Sequence, residues 1–179
     1  MPKRFKFDAD KAVASIQYIV SNISKPDFYK IFKILYFADQ KHLVKFGRPI
    51  SGDFYIAMDN GPVPSKIYDI LKALRGDLFF EVKVAKFNKL IQVYDNHMIK
   101  SLTKPDLNVL SESELECIDE SINENKGLSF ESLKRKSHGP AYKKAIKNID
   151  IPVLEMAREG GATKEMLNYI ELNLENNQI

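Results

Sequence analysis

The chain has 179 residues, 44% of them hydrophobic, with one cysteine, no tryptophan and a formal net charge of +3. That size and apolar content suit one domain with its own core, needing no disulfide or metal staple, and the lone Cys117 excludes an internal disulfide and reads as a small buried hydrophobe in a reducing compartment. No run approaches the ~20 apolar residues of a membrane span, and no signal-peptide stretch follows the basic start Met1-Pro2-Lys3-Arg4-Phe5-Lys6, so a soluble cytoplasmic protein with no membrane partner is expected.

Taken in order, residues 8–23 form a first helix. Asp8 or Asp10 caps it, and Ala12, Val13, Ile16, Ile19, Val20 and Ile23 recur at helical spacing. After the break at Ser24-Lys25-Pro26, a second helix covers about 26–46. Its apolar residues Phe28, Ile31, Phe32, Leu35, Tyr36, Ala38, Leu43 and Phe46 are too widely spread for one stripe, so it should be central and buried, with Gly47 as its stop. Residues 53–58 read as a strand, and Asn60-Gly61-Pro62 as a turn. Pro62 or Pro64 then stands near the start of a third helix with Ile67, Ile70, Leu71 and Leu74 inward, ended by Gly76.

Alternation at 78–85 and 89–95 around Lys86-Phe87-Asn88-Lys89 predicts a β-hairpin, with 98–102 as one further strand. Beyond Lys104-Pro105 the pattern is helical. Ser111 and Glu114 have capping-box spacing before Leu115, Ile118 and Ile122, and Gly127 closes that helix. Ser129 caps the next, which stops near His138-Gly139-Pro140. Further helices are expected at about 140–148, 152–159 and 163–176, with Gly160-Gly161 between the last two and Thr163 capping the last. The expected fold class is therefore α+β, mainly helical with a small antiparallel β-sheet (hairpin about 78–95) and a helical C-terminal part. The expected organisation is a single domain over 1–179, in which 1–104 supplies helices plus the small sheet and 105–179 the helical part.

The chemistry-bearing patterns are few. There is no phosphate-binding loop, dinucleotide fingerprint or nucleophile elbow. His42, His97 and His138 have no ligand-spaced partners, so neither a metal nor a cofactor is expected. Asp39 and His42, at i and i+3, share a helix face. That pairing suits a general base, a structural histidine or a surface ion pair. Gly61-Pro62-Val63-Pro64-Ser65 precedes a helix N-terminus whose amides can take an anion, or it is simply a tight, proline-stiffened turn. Residues 1–100 hold 17 Lys and Arg against 10 Asp and Glu, and the remainder carries a charge of −4. The basic excess can steer an acidic partner to the N-terminal part, or be ordinary solvated surface. A nucleic-acid binder would show a denser basic cluster.

An ordered set of motifs carries a family resemblance. It comprises Lys33-Ile34-Leu35-Tyr36-Phe37-Ala38-Asp39, His42-Leu43, Gly47-Arg48-Pro49-Ile50, Gly52-Asp53, Ala57, Gly61-Pro62-Val63-Pro64 and Ile67-Tyr68, then Leu110-Ser111, Leu128-Ser129 and Ser137-His138. The set resembles the SocA-like Panacea domain of prokaryotic and phage antitoxins and phage-associated proteins. That family reads K-L-L-Y-F-A-D, H-L, G-R-x-I/L, an alanine-bearing strand, a G-P-V turn and a closing S-H. The match spans roughly residues 10–147. Members often carry an aromatic residue, commonly Trp, shortly after the S-H pair; here Tyr142 follows Gly139-Pro140-Ala141.

The resemblance implies an antitoxin-type, non-enzymatic protein that neutralises a cognate protein toxin by direct contact, with a protease as a second partner where it also serves as a proteolytic adaptor. The candidate partner-binding residues are Asp39, His42, Arg48, Asn60, Gly61, Pro62, Val63 and Pro64, with Tyr68 packing. Two alternatives stand beside this one. The first is an enzyme or binding protein for a nucleotide or small anion using Asp39, His42 and Arg48, which requires a polar cleft joining them to Gly61. The second is a nucleic-acid-binding regulator, although nucleic acid is not the expected partner.

Overall fold

The computed structural model describes residues 3–77 and 84–176. Among them are eight α-helices, one 3₁₀ turn and two two-stranded antiparallel sheets, a mainly helical α+β fold. Helix α1 (Ala9–Asn22) starts where the Asp8 carboxylate accepts from the amides of Asp10 and Lys11. Helix α2 (Phe28–Phe46) is capped by Asp27, which accepts from the Lys30 amide, and it ends at Gly47 in the left-handed region.

The wide apolar spread of α2 translates into burial on two faces. Ile31, Ile34, Leu35, Tyr36, Phe37, Ala38 and Leu43 are all enclosed, while Phe46 at the last turn is exposed. The helix therefore divides two cores. On one face, Ile16, Ile19, Ile31, Ile34 and Leu35 join Ile67, Leu71, Ile91, Ile99, Ile118 and Ile122. On the other, Tyr36, Phe37 and Leu43 join Tyr55, Ala57, Ala141, Met156, Ile170 and Leu174.

Strand β1 (Tyr55–Met58) pairs with β2 (Gly61–Pro64) in the register Tyr55↔Pro64 to Met58↔Gly61. The tight turn is thus Asp59-Asn60, and Gly61–Pro64 is a strand where its composition suggests more of the turn, with Pro64 standing, as expected, immediately before the third helix. Its prolines fit because their partners use their backbone groups elsewhere. The Ala57 amide donates to the Ile149 carbonyl, and the Ala57 and Tyr55 carbonyls accept from the Asn148 and Ile151 amides. No ladder bond is asked of Pro62 or Pro64. The same bonds shorten the helix expected over 140–148. Residues 148–151 lie along β1, and the helix there stops at Lys144.

Helix α3 (Ser65–Arg75) ends at Gly76. Strands β3 (Ile91–Tyr94) and β4 (Met98–Ser101) form a hairpin whose turn holds Asp95 and Asn96 at positive φ, as such turns favour. The second arm of the hairpin expected at 78–95 is β3; most of the first arm, residues 78–83, lies outside the described residues. Strand β4 is tied to the start of α2 by the Phe28 amide on the His97 carbonyl and the Ile99 amide on the Pro26 carbonyl.

A 3₁₀ turn (Leu107–Val109) leads to α4 (Glu112–Asn125), with the Ser111–Glu114 capping box formed as expected. Helices α5 (Phe130–Ser137), α6 (Pro140–Lys144), α7 (Val153–Glu159) and α8 (Lys164–Asn176) follow. Cys117 is buried in the first core, and the Ser121 hydroxyl donates to the Ile34 carbonyl at 2.6 Å, pinning α4 to α2. No described helix is long and apolar enough to cross a membrane.

Candidate functional site

The motif residues at the end of α2 hold the loop that follows it. Asp39 is 3% exposed. One carboxylate oxygen accepts from the Ile50 amide at 2.7 Å and the other from the Tyr55 hydroxyl at 2.7 Å. Burial pushes this carboxyl up to about 7, against the pull of those two donors. His42 is fully enclosed. Its Nδ1 lies 2.7 Å from the Arg48 carbonyl, so that nitrogen carries the proton and donates, and Nε2 faces the Ser113 hydroxyl at 3.4 Å. Burial lowers its pKa, which favours the neutral ring. Asp39 and His42 share a face, yet they serve different partners, and the acid–base pair considered from their spacing is not assembled.

Arg48 projects from the loop so held, with its side chain 41% exposed. Its guanidinium reaches Glu114 at 2.7 Å, and Lys11 reaches the same carboxylate oxygen at 2.6 Å. The other oxygen of Glu114 accepts from the Ser111 amide at 2.8 Å. Glu114 therefore joins α1, the loop and the cap of α4. Burial alone would raise its pKa, but the bonds from Lys11, the Ser111 amide and Arg48 outweigh it and hold the acid below its usual range. Replacing Glu114 with alanine is expected to cost about 1–3 kcal/mol, from a lost cap and two lost ion pairs whose cations, Lys11 and Arg48, still reach solvent. Urea denaturation measures it, and a loss under about 0.5 kcal/mol would deny Glu114 its bracing role.

The amides at the start of α3 are already occupied. Asp53, buried, accepts from the amides of Phe54, Lys66 and Ile67 at 2.8, 3.0 and 2.9 Å. The anion that a helix N-terminus attracts is thus supplied by the chain itself, and the site weighed for an external anion at Gly61–Ser65 is closed by Asp53.

Around the Asp59-Asn60 turn, distant motifs converge. Lys33, the first residue of its motif, is 1% exposed and donates to the Pro62 carbonyl at 2.8 Å. Its ammonium lies 4.7 Å from the Tyr29 ring centre, and burial lowers its pKa to about 7. Gly61, at φ +105, leaves room here: a Cβ would come within 2.7 Å of the Ser137 hydroxyl and 3.0 Å of the Lys33 ammonium. His138 stacks on Tyr142 with ring centres 4.1 Å apart, and the Tyr142 hydroxyl donates to the Met58 carbonyl at 2.7 Å. The aromatic after the S-H pair thus supports the histidine and the end of β1. His138 Nε2 is buried without a hydrogen-bond partner.

Of the eight residues proposed for partner contact, Asp39, His42, Gly61, Pro62 and Pro64 are enclosed, Arg48 and Val63 are partly exposed, and Asn60 is exposed. The recess beside Arg48 is lined by Phe5, Lys6, Asp8, Lys11 and Pro49 to Gly52, and it takes in neither Asp39, His42 nor Gly61. Reading by spacing missed Lys33, Ser137 and His138 as a group. Their shared membership of the motif set was the signal that could have joined them. Among the described residues no group of three or more His, Cys, Asp or Glu side chains is placed to hold a metal.

Fold and site describe a mainly helical α+β domain whose motif side chains brace loops and turns. The chain belongs to the family of the antitoxin SocA-like Panacea domain, whose family model matches residues 31–143. At the level of that family its role is antitoxin-type, and its coarse class of partner is a protein. Neither the curated proteins nor the solved structures gave a match to the chain.

Proposed function

We propose that this protein neutralises a cognate protein toxin by binding it directly, as a cytoplasmic antitoxin without catalytic activity, and that a proteolytic-adaptor role is an extension of the same contact. The observation that carries this reading is the family match over residues 31–143. The side-chain geometry agrees with a binding role: Asp39, His42 and Asp53 are each engaged by backbone amides or carbonyls. In this reading the enclosed residues Asp39, His42, Gly61, Pro62 and Pro64 fix the loops, and Arg48, Asn60 and Val63 are what a partner meets.

The test is co-expression with the products of neighbouring genes. One of them is expected to arrest growth alone, to be tolerated in the presence of this protein, and to co-purify with it. If the protein is folded and abundant yet rescues none of them, the reading fails.

A further inference from the structure

The half-by-half charge count hides a local cluster. Residues 132–149 carry six basic side chains and no acidic one. Lys136, Lys144 and Lys147 reach Glu124, Glu155 and Asp59. Lys134, Arg135 and Lys143 form no ion pair among the described residues. Burial, then the charges of Lys134, Lys33 and Lys143, lower the pKa of the His138 ring, against the opposing pull of the Asn60 backbone.

Three separate features at this place lack an anion. Lys134 and Lys143 are unpaired at the surface. Lys33 is an enclosed ammonium whose hydrogen-bond acceptor is a single carbonyl oxygen. His138 Nε2 is a buried ring nitrogen that meets no hydrogen-bond geometry, although the Asn60 backbone interacts with the ring. Buried polar groups in folded proteins are nearly always satisfied, and a buried cation without a carboxylate is costly. An incoming acidic segment pairs with Lys134 and Lys143 at the surface, and its charge favours the protonated forms of the enclosed Lys33 and His138.

We propose that the Asp59-Asn60 turn together with Lys134, His138 and Lys143 is the surface on which the protein partner docks, and that it takes an acidic segment of that partner, with its carboxylates paired to Lys134 and Lys143 beside the His138 ring. The proposal rests on the antitoxin reading and deepens it. A protein fits better than a nucleic acid. The cations converge on one turn rather than tracking a strand, the Asp59 carboxylate stands among them, and Ile146 beside them is 72% exposed, offering apolar contact.

Two measurements on the full chain test it. In the first, the Lys134→Glu/Lys143→Glu double variant, and the milder Lys134→Gln/Lys143→Gln, are checked for folding by circular dichroism and then for co-purification with the rescued toxin. Partner affinity is expected to fall at least about tenfold, more steeply at low salt. Undiminished binding by the folded glutamine variant overturns the docking face while leaving the antitoxin reading intact.

In the second, a glutamate-rich peptide, inorganic phosphate and a single-stranded oligonucleotide are titrated separately and followed by NMR at His138. The peptide is expected to shift the His138 resonances in the wild type and not in the glutamate variant. No shift with the peptide, or a response to phosphate or oligonucleotide that exceeds it, overturns the acidic-segment claim. Because this titration needs no toxin, it decides that claim even where no neighbouring gene product is rescued.

Discussion

Replacing Asp39 with alanine is expected to destabilise the fold by about 3–5 kcal/mol, enough to unfold a marginal domain. Two donors lose their acceptor at once, the Ile50 amide and the Tyr55 hydroxyl, in a place water does not reach. Each stranded buried donor costs about 1–3 kcal/mol. An opposing effect is the cost of burying the carboxylate itself, which the substitution removes. Tyr55→Phe removes one bond while also deleting its donor, so its loss should stay near 1–2 kcal/mol. Asp39→Asn keeps an acceptor for one donor and should fall between. Urea denaturation of the three variants gives the order. If Asp39→Ala loses less than Tyr55→Phe, Asp39 is not the clasp of this loop. Hydrogen exchange at the Ile50 amide supplies a local readout, because the clasp also sets how firmly Arg48 is presented.

Much of this fold is written locally. The stops at Gly47 and Gly76, the Ser111–Glu114 box and the wide apolar spread of α2 each follow from neighbouring residues, and each is found where expected. What escaped is what depends on distant partners. Asp39 and His42 sit on one face by periodicity, but periodicity does not say that a largely buried helix hands each to a different loop. Gly61–Pro64 has turn composition, and becomes a strand because β1 spends its outward backbone bonds on residues 148–151. The start of α3 looked open to an anion, because nothing in a linear reading says that Asp53 folds back onto the amides of Lys66 and Ile67. Charge counted by halves placed the basic excess in residues 1–100, whereas the unpaired cluster lies at 134–143. The family motifs were legible throughout. Their convergence at Lys33, Gly61 and His138 is a tertiary fact.

Stability should rise with pH between about 7 and 8.5, and Lys33→Met should abolish most of that rise. The ammonium of Lys33 is pushed down to about 7 by burial, from an ordinary 10.5. Between those values the unfolded chain binds a proton that the folded chain has released. Stability therefore grows with pH there, and is lost as pH falls through 7. The slope is at most about 1.4 kcal/mol per pH unit. The buried Cys117 thiol, pushed up to about 11, works in the opposite direction above its ordinary 9.0, which sets the upper edge of the window. Asp39 and Asp53, pushed up to about 7 and 6, contribute a fall in stability as pH climbs from about 4 towards 7. The two trends meet in a trough near neutrality. Methionine matches the lysine stem in length and brings no charge, so at pH 7 the variant should be at least as stable as the wild type, even without the bond to the Pro62 carbonyl. Urea midpoints at pH 7.0, 7.5, 8.0 and 8.5 separate the two chains. Parallel profiles for wild type and Lys33→Met would mean that the ammonium stays charged in the fold. A deficit that persists in the protein alone is what an acidic partner relieves, since carboxylates paired to Lys134 and Lys143 favour the charged form of Lys33 and couple binding to the stability of the turn that Lys33 supports.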